Sequence, residues 1–138
     1  TLESANEAVV VRASSAVAVE AASLLLGRGI ALGPVAPGER VEAVAALANL
    51  AVNDKNEQEI ARVGGLEVIL DGARAPSGDL RSQCARALRN LSVNADNKAR
   101  LRDLGAIPLL RDIAASRGTQ AAAQAQRALE NLEASDKK

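Results

Sequence analysis

The 138-residue sequence contains no aromatic residue, no histidine and no methionine, and it contains one cysteine. Without Phe, Tyr or Trp, the chain cannot stack nucleic-acid bases on aromatic rings. Without histidine, it cannot form Ser-His-Asp or Cys-His catalytic groups, or metal sites built on histidine. The single thiol, Cys84, has no partner for an intramolecular disulfide or a CxxC zinc site. We therefore expect Cys84 to be a small, packed core residue.

Neither sign of charge is in excess, because 17 Lys and Arg balance 17 Asp and Glu. Proteins that neutralise phosphates normally carry a basic excess, so we expect no nucleic-acid partner. The longest uninterrupted apolar run is Ala43–Ala48, whereas a membrane-spanning helix needs about 18 apolar residues. We expect no membrane insertion. Since the first residues do not form a cationic signal peptide, we expect a cytoplasmic or nuclear location.

A five-residue pattern recurs three times at a constant spacing of 41 residues, at Ala46–Leu50, Ala87–Leu91 and Ala128–Leu132. Aligning residues 46–73 with residues 87–114 gives ten identities in 28 positions, and five further pairs exchange one aliphatic residue for another. Solenoid proteins with two or three helices per repeat have periods of about 40 residues. The sequence therefore predicts an all-α solenoid.

Each period predicts three helices. We expect first helices at Lys55–Val63 and Asp96–Leu104, second helices at Leu66–Ala73 and Ile107–Ala115, and third helices at Glu39–Val52, Asp79–Val93 and Thr119–Ala134. Asp54 is the expected N-cap of its helix. Gly64 and Gly105 follow the first helices, where a left-handed residue is favoured. Leu88 and Leu91 lie at helical spacing, so both should be buried.

The period also divides the chain into domains. Residues 54–94 and 95–138 form two clear copies, and the second ends in a polar capping helix and a tail, residues 135–138, that we expect to fray. Residues 1–53 are divergent. They fit either a first repeat with a loop inserted near residues 27–38 or an irregular cap, because terminal repeats are often atypical.

The repeated strings resemble armadillo repeats. The resemblance is carried by residues 46–53 with Asn56 and residues 63–67 in one copy, and by residues 87–92 with Asn97 and residues 105–110 in the next. It is closest to the fungal vacuolar armadillo scaffold and to the arrays of plant U-box ligases. It implies a right-handed α-solenoid of about three three-helix repeats, the first divergent, whose third helices line a concave groove that holds extended peptides.

The resemblance implies a peptide-binding role for Asn49, Asn90 and Asn131. In peptide-binding armadillo proteins, the asparagine at this position of the third helix bonds to the backbone of the bound segment. An amide suits that task, because it can both accept from a peptide N–H and donate to a peptide C=O. The alternative is that these asparagines fix a neighbouring loop backbone, since buried polar side chains need partners.

Two arginines accompany the asparagines. Nuclear-import carriers of the armadillo family usually have Trp four residues before this asparagine, whereas this chain has Ala45, Arg86 and Arg127. The resemblance therefore does not extend to receptors of nuclear-localisation signals. Arginine binds carboxylates in a bidentate fork, so an acidic segment is the expected partner. The alternative is that both arginines are solvated or pair with acids such as Glu42 and Glu130.

The expected function is a non-enzymatic interaction module that binds an extended, acidic segment of a protein partner. The predicted peptide-binding residues are Asn49, Arg86, Asn90, Arg127 and Asn131. We expect no catalytic residue, cofactor or metal, because no cofactor motif or convergent set of carboxylates is present. Two alternatives are a recognition segment of a larger enzyme, such as a ubiquitin ligase, and a structural or homo-oligomerising array.

Overall fold

The computed structural model of the protein describes residues 37–75 and 78–134. These residues form seven helices and no strand, which confirms the predicted all-α fold. The helices are α1 (Pro37–Leu50), α2 (Asp54–Arg62), α3 (Gly65–Ala73), α4 (Gly78–Leu91), α5 (Ala95–Asp103), α6 (Ala106–Ala114) and α7 (Gln120–Glu133). What the sequence predicts for residues 1–36, including the choice between repeat and cap, and for the tail at 135–138 lies outside the described residues.

The 41-residue period of the sequence reappears in the order of the helices. Helices α4, α5 and α6 begin 41 residues after α1, α2 and α3, respectively, and α7 begins one residue later than the period predicts. We call α1, α4 and α7 the third helices, because each is the last helix of its copy. Helix α4 packs against both α1 and α7. The shorter helix α3 packs against α4, and the shorter helix α6 packs against α7. The third helices therefore form a continuous row.

The N-cap of α2 is Asn53, so the expectation that Asp54 caps this helix is wrong. Asn53 has extended backbone angles, with φ −110° and ψ 132°. Its Oδ1 accepts hydrogen bonds from the backbone N–H groups of Lys55 at 2.9 Å and Asn56 at 3.2 Å. Asn94 caps α5 one period later. The first turn of each helix is thus satisfied by an asparagine, which is a strongly preferred N-cap.

Glycine makes the sharp bend between the first and second helices. Gly64 and Gly105 both have φ +84°, the left-handed conformation that the sequence predicts for them. The neighbouring Gly65 is needed for a different reason. A Cβ at this position would lie 2.5 Å from Ile60 Cγ2 and 2.7 Å from the Ile60 carbonyl oxygen. The bend thus brings the start of α3 directly against the end of α2.

The apolar core lies where the third helices pack against one another and against the shorter helices. Its fully buried side chains include Leu47, Leu66, Leu88, Leu91, Leu101 and Leu110. Leu88 and Leu91 are 0% exposed, which confirms the predicted register of α4. Cys84 is also fully buried, as expected of a packed thiol. The row of third helices is therefore joined by one continuous core.

Candidate functional site

The third helices carry all five predicted peptide-binding residues. Asn49 lies near the end of α1, Arg86 and Asn90 lie one turn apart on α4, and Arg127 and Asn131 lie one turn apart on α7. Asn49 and Arg127 are exposed, and the other three are half-buried. We call the surface that these five residues mark the third-helix face.

The asparagines of α4 and α7 each cap the third helix before them. The last four carbonyl groups of a helix lack an intrahelical partner, and Ala48 and Arg89 supply such groups at the ends of α1 and α4. Asn90 Nδ2 donates to the Ala48 carbonyl oxygen at 2.8 Å. One period later, Asn131 Nδ2 donates to the Arg89 carbonyl oxygen and to Ser92 Oγ, both at 3.1 Å. These asparagines therefore join successive third helices.

This geometry corresponds to the alternative that the sequence leaves open, in which asparagine fixes a neighbouring backbone. In this geometry, only the NH2 group of each asparagine side chain is used in a hydrogen bond. Among the described residues, nothing donates to Oδ1 of Asn90 or of Asn131, and an amide oxygen can accept two hydrogen bonds. Each asparagine can thus support the fold with its NH2 group and still present an acceptor. Its role in binding stays a prediction.

Arg86 connects α4 to α1 through neutral acceptors. Its Nη1 donates to Asn49 Oδ1 at 2.9 Å, and its Nη2 lies 3.4 Å from the Ala45 carbonyl oxygen. Its Nε and Nη2 donate to Gln83 Oε1 on the same helix at 3.1 Å and 2.9 Å. Because guanidinium can only donate, Asn49 must direct its oxygen at Arg86 and its NH2 group elsewhere. Asn49 therefore presents a donor, unlike the other two asparagines.

No carboxylate neutralises the arginines of the third-helix face in the described part of the chain. Arg89, which lies between Arg86 and Asn90, donates to Gln124 Oε1 on α7 at 3.2 Å. Arg127 makes no hydrogen bond or ion pair with any described residue. The pairing with Glu42 or Glu130 that the sequence allows is not formed. Among the described residues, the three guanidinium groups of the face thus have only amide and carbonyl groups as partners.

An open depression of about 400 Å³ lies between α4 and α7. It is lined by Ser82, Gln83, Arg86, Gln120, Ala123 and Gln124. Among these described lining residues, every side chain except that of Ala123 is polar, and none is acidic. Gln83 and Gln124 were not predicted from the sequence as site residues, although both lie three residues before a predicted arginine and are separated by the 41-residue period.

The first helices are joined by a second set of links between side chains and carbonyl groups, which sequence reasoning also missed. Asn97 Nδ2 donates to the Glu57 carbonyl oxygen at 3.3 Å, and Arg100 Nη1 donates to that of Ala61 at 3.1 Å. The repeated Asn56 and Asn97 are the only sequence signal for these links. They fix α5 against α2 and leave the third-helix face clear.

Glu57 is a buried carboxylic acid of α2. The residue is 4% exposed, and no described residue donates a hydrogen bond to its Oε2. Burial, together with the nearby charge of Asp54, raises the pKa of Glu57 to about 7. Near neutral pH this group is therefore only partly ionised, unlike an ordinary glutamate.

Residues 37–75 and 78–134 contain neither a candidate metal site nor a candidate membrane-spanning helix. No three Cys, Asp or Glu side chains are grouped so that they could hold a metal ion. No helix in these ranges is long and apolar enough to cross a membrane.

No protein-family model matches the chain, and no curated protein matches it. Its fold is similar to several solved structures. Two crystal structures of engineered proteins from the Northeast Structural Genomics Consortium have TM-scores of 0.72, with 26% and 27% sequence identity over 80% and 83% of the chain. A crystal structure of computationally designed armadillo repeat proteins for modular peptide recognition has a TM-score of 0.71, with 24% identity over 82% of the chain. The chain has an armadillo-repeat fold.

The armadillo resemblance of the sequence is thus confirmed at the level of the fold. The described helices comprise one third helix, α1, followed by two sets of three helices, α2–α4 and α5–α7. The chain spans less than half the length of the structures it matches, namely 44% of the first and 46% of the other two.

Proposed function

We propose that this armadillo chain is a non-enzymatic protein-interaction module that binds an extended segment of a partner protein along the third-helix face. One of the similar structures comes from armadillo proteins designed for modular peptide recognition. In this chain, the third helices form a continuous row and carry polar side chains with unused hydrogen-bonding groups. The fold and this surface chemistry together support the proposal.

The asparagines would contact the backbone of the bound segment. Asn49 offers an NH2 group, because its oxygen accepts from Arg86. Asn90 and Asn131 offer Oδ1, because their NH2 groups donate to the preceding third helix. An extended segment carries unpaired N–H and C=O groups that match both kinds of atom. Such contacts are independent of the side chains of the segment.

The length of the bound segment follows from the spacing of the helices. Packed helices lie about 8–10 Å apart, so three third helices extend over about 20 Å. An extended chain rises about 3.3 Å per residue. We therefore expect about six residues of the partner to be bound, and a correspondingly modest affinity.

We propose an acidic partner because Arg86, Arg89 and Arg127 have no carboxylate partner among the described residues. The chain as a whole has no net charge, so this concentration of unneutralised arginine is local. Charge-assisted bonds from guanidinium to carboxylate are stronger than its bonds to neutral amides. A segment rich in Asp or Glu would therefore bind this face best.

The test compares two labelled peptides, Ser-Glu-Ser-Glu-Ser-Glu and Ser-Lys-Ser-Lys-Ser-Lys, by fluorescence anisotropy. We expect the acidic peptide to bind more tightly, and its advantage to shrink as salt screens the charges. Arg127→Glu should remove most of that advantage without disturbing the fold, because Arg127 bonds to no described residue. Arg62→Glu, at an exposed position of α2, makes the same charge change away from the face and should have little effect. Equal binding of both peptides would contradict the acidic preference.

A further inference from the structure

Two glutamines on the third-helix face are held in one orientation by arginines. Gln83 Oε1 accepts from Nε and Nη2 of Arg86 at 3.1 Å and 2.9 Å, and Gln124 Oε1 accepts from Nη1 of Arg89 at 3.2 Å. Guanidinium has five donors and no acceptor, so the amide atom that meets it must be the oxygen. The NH2 group of each glutamine therefore points away from its arginine, and neither NH2 group donates to a described residue.

Both glutamines line the depression between α4 and α7, and Arg86 lines it as well. Because their amide oxygens already accept from arginines, the two glutamines present their NH2 groups to a ligand in this depression. No described residue that lines the depression is acidic, and the guanidinium groups of Arg86 and Arg89 bond to the two amides. Among the described lining residues, only Ser82 and Gln120 add side-chain groups that can accept as well as donate. The depression is therefore rich in hydrogen-bond donors, and an arginine bonds to each of its two central glutamines.

We infer that this depression is a subsite that takes a carboxylate side chain of the bound segment and discriminates against the corresponding carboxamide. The inference rests on the proposed function and deepens it, because it assigns the discrimination to Gln83 and Gln124 in addition to the arginines. A carboxylate offers only acceptors and can be met by both NH2 groups. A carboxamide of the same shape must turn its own NH2 group toward donors, and a lysine offers donors only. A donor left without an acceptor lowers affinity.

Substituting glutamine by glutamate provides an isosteric probe of this arrangement. In Gln83→Glu and Gln124→Glu, one carboxylate oxygen still accepts from the arginine, and the other replaces the outward NH2 group. The fold and the arginine contact are kept, while a donor becomes a charged acceptor that repels a bound carboxylate. Gln126→Glu is the matched control, because Gln126 is exposed on α7 and does not line the depression.

The experiment measures the binding of labelled Ser-Glu-Ser-Glu-Ser-Glu and of its isosteric partner Ser-Gln-Ser-Gln-Ser-Gln, both of which place alternate side chains on one side of an extended chain. The intact protein should bind the glutamate peptide about tenfold more tightly, as expected for one hydrogen bond to a charged group. Gln83→Glu and Gln124→Glu should each lower the affinity for the glutamate peptide by about tenfold and leave that for the glutamine peptide nearly unchanged. Gln126→Glu should alter neither.

The outcomes separate this inference from the proposed function. If both peptides bind equally well, or if Gln126→Glu weakens the glutamate peptide as much as Gln124→Glu does, the subsite is overturned and the binding face is retained. If neither peptide binds the intact protein, the binding face and the subsite both fail.

Discussion

Asn90 donates from its side-chain amide to the carbonyl oxygen of Ala48 at 2.8 Å, across the boundary between α4 and α1. The acceptor belongs to the last turn of α1, where carbonyl groups have no partner within the helix. The same contact recurs one period later between Asn131 and the carbonyl oxygen of Arg89. Asn90, which we expect to bind peptides, thus also links one copy to the next. Its effects on stability and on binding must therefore be measured separately.

Asn90→Ala should lower the free energy of unfolding by about 1–3 kcal/mol, because it leaves the carbonyl group of the buried Ala48 without its donor. Asn49→Ala is the matched comparison. Asn49 is exposed and accepts one bond from Arg86, so its removal should cost less. Urea unfolding followed by circular dichroism measures both. An equal or smaller cost for Asn90→Ala would show that its link between helices does not stabilise the fold.

Leu88→Ala should lower the free energy of unfolding by about 2–5 kcal/mol, because Leu88 is fully buried in the middle of the core. Neighbouring copies share that core, so both should lose stability together. Val93→Ala is the control, since Val93 is 64% exposed and its truncation should cost less than about 0.5 kcal/mol. Thermal melts that place the two variants at the same midpoint would contradict this register of α4.

Gly65→Ala should be more damaging than Gly105→Ala, although only Gly105 has a positive φ. A Cβ on Gly105 meets no atom of the described residues within 4 Å, so the expected cost is that of the left-handed conformation, roughly 1–2 kcal/mol. A Cβ on Gly65 would lie 2.7 Å from the Ile60 carbonyl oxygen, a backbone atom that cannot move without unwinding α2. Denaturant midpoints rank the two variants. The reverse order would mean that the α2–α3 bend is looser than the structure shows.

The contribution of Glu57 to the free energy of unfolding should fall as pH rises from about 4.5 to about 7. The pKa of Glu57 is raised to about 7 in the folded chain from an ordinary value of 4.5, mainly by burial. Between these values the folded state binds more protons than the unfolded state, so the free energy of unfolding decreases with pH. Other carboxyl groups act in the opposite direction; for example, Arg62 lowers the pKa of Glu59.

The variant Glu57→Gln isolates this contribution, because glutamine has the shape of the protonated acid and does not ionise. We compare the free energy of unfolding of this variant with that of the unmodified protein at pH 5 and at pH 8. The variant should gain stability relative to the unmodified protein between pH 5 and pH 8. If the difference between the two proteins is the same at both pH values, Glu57 does not titrate as its burial predicts.

The helical fold could be predicted because the period fixes it in several independent ways. The repeated strings place each third helix, Gly64 and Gly105 mark the bends, and the apolar spacing gives the burial of Leu88. The helix ends that the sequence predicts lie within two residues of those in the structure; for α4, the sequence predicts Asp79–Val93 and the structure has Gly78–Leu91. The N-cap at Asn53 was missed, because Asp54 is also a good cap and sequence alone does not show which backbone is extended.

The hydrogen bonds of the site could not be predicted, because equivalent residues have different neighbours. Arg86 and Arg127 occupy the same position in successive copies, yet within the described part of the chain only Arg86 bonds to other side chains. Arg86 bonds to Gln83, whereas the corresponding Gln124 is already bonded to Arg89. The position of Arg89 in the copy before holds Ala48, which has no side chain that could compete for Gln83. A single substitution between copies therefore redirects the network.

The most direct test of the account is to map the binding of the acidic peptide by NMR. Ser-Glu-Ser-Glu-Ser-Glu is added to the 15N-labelled protein, and changes in backbone and side-chain amide resonances are followed. We predict that the changes concentrate on α1, α4 and α7, include the side-chain amides of Asn49 and Gln124, and weaken in Arg127→Glu. Changes concentrated on α2, α3, α5 or α6, or changes that Arg127→Glu leaves intact, would contradict binding at the third-helix face.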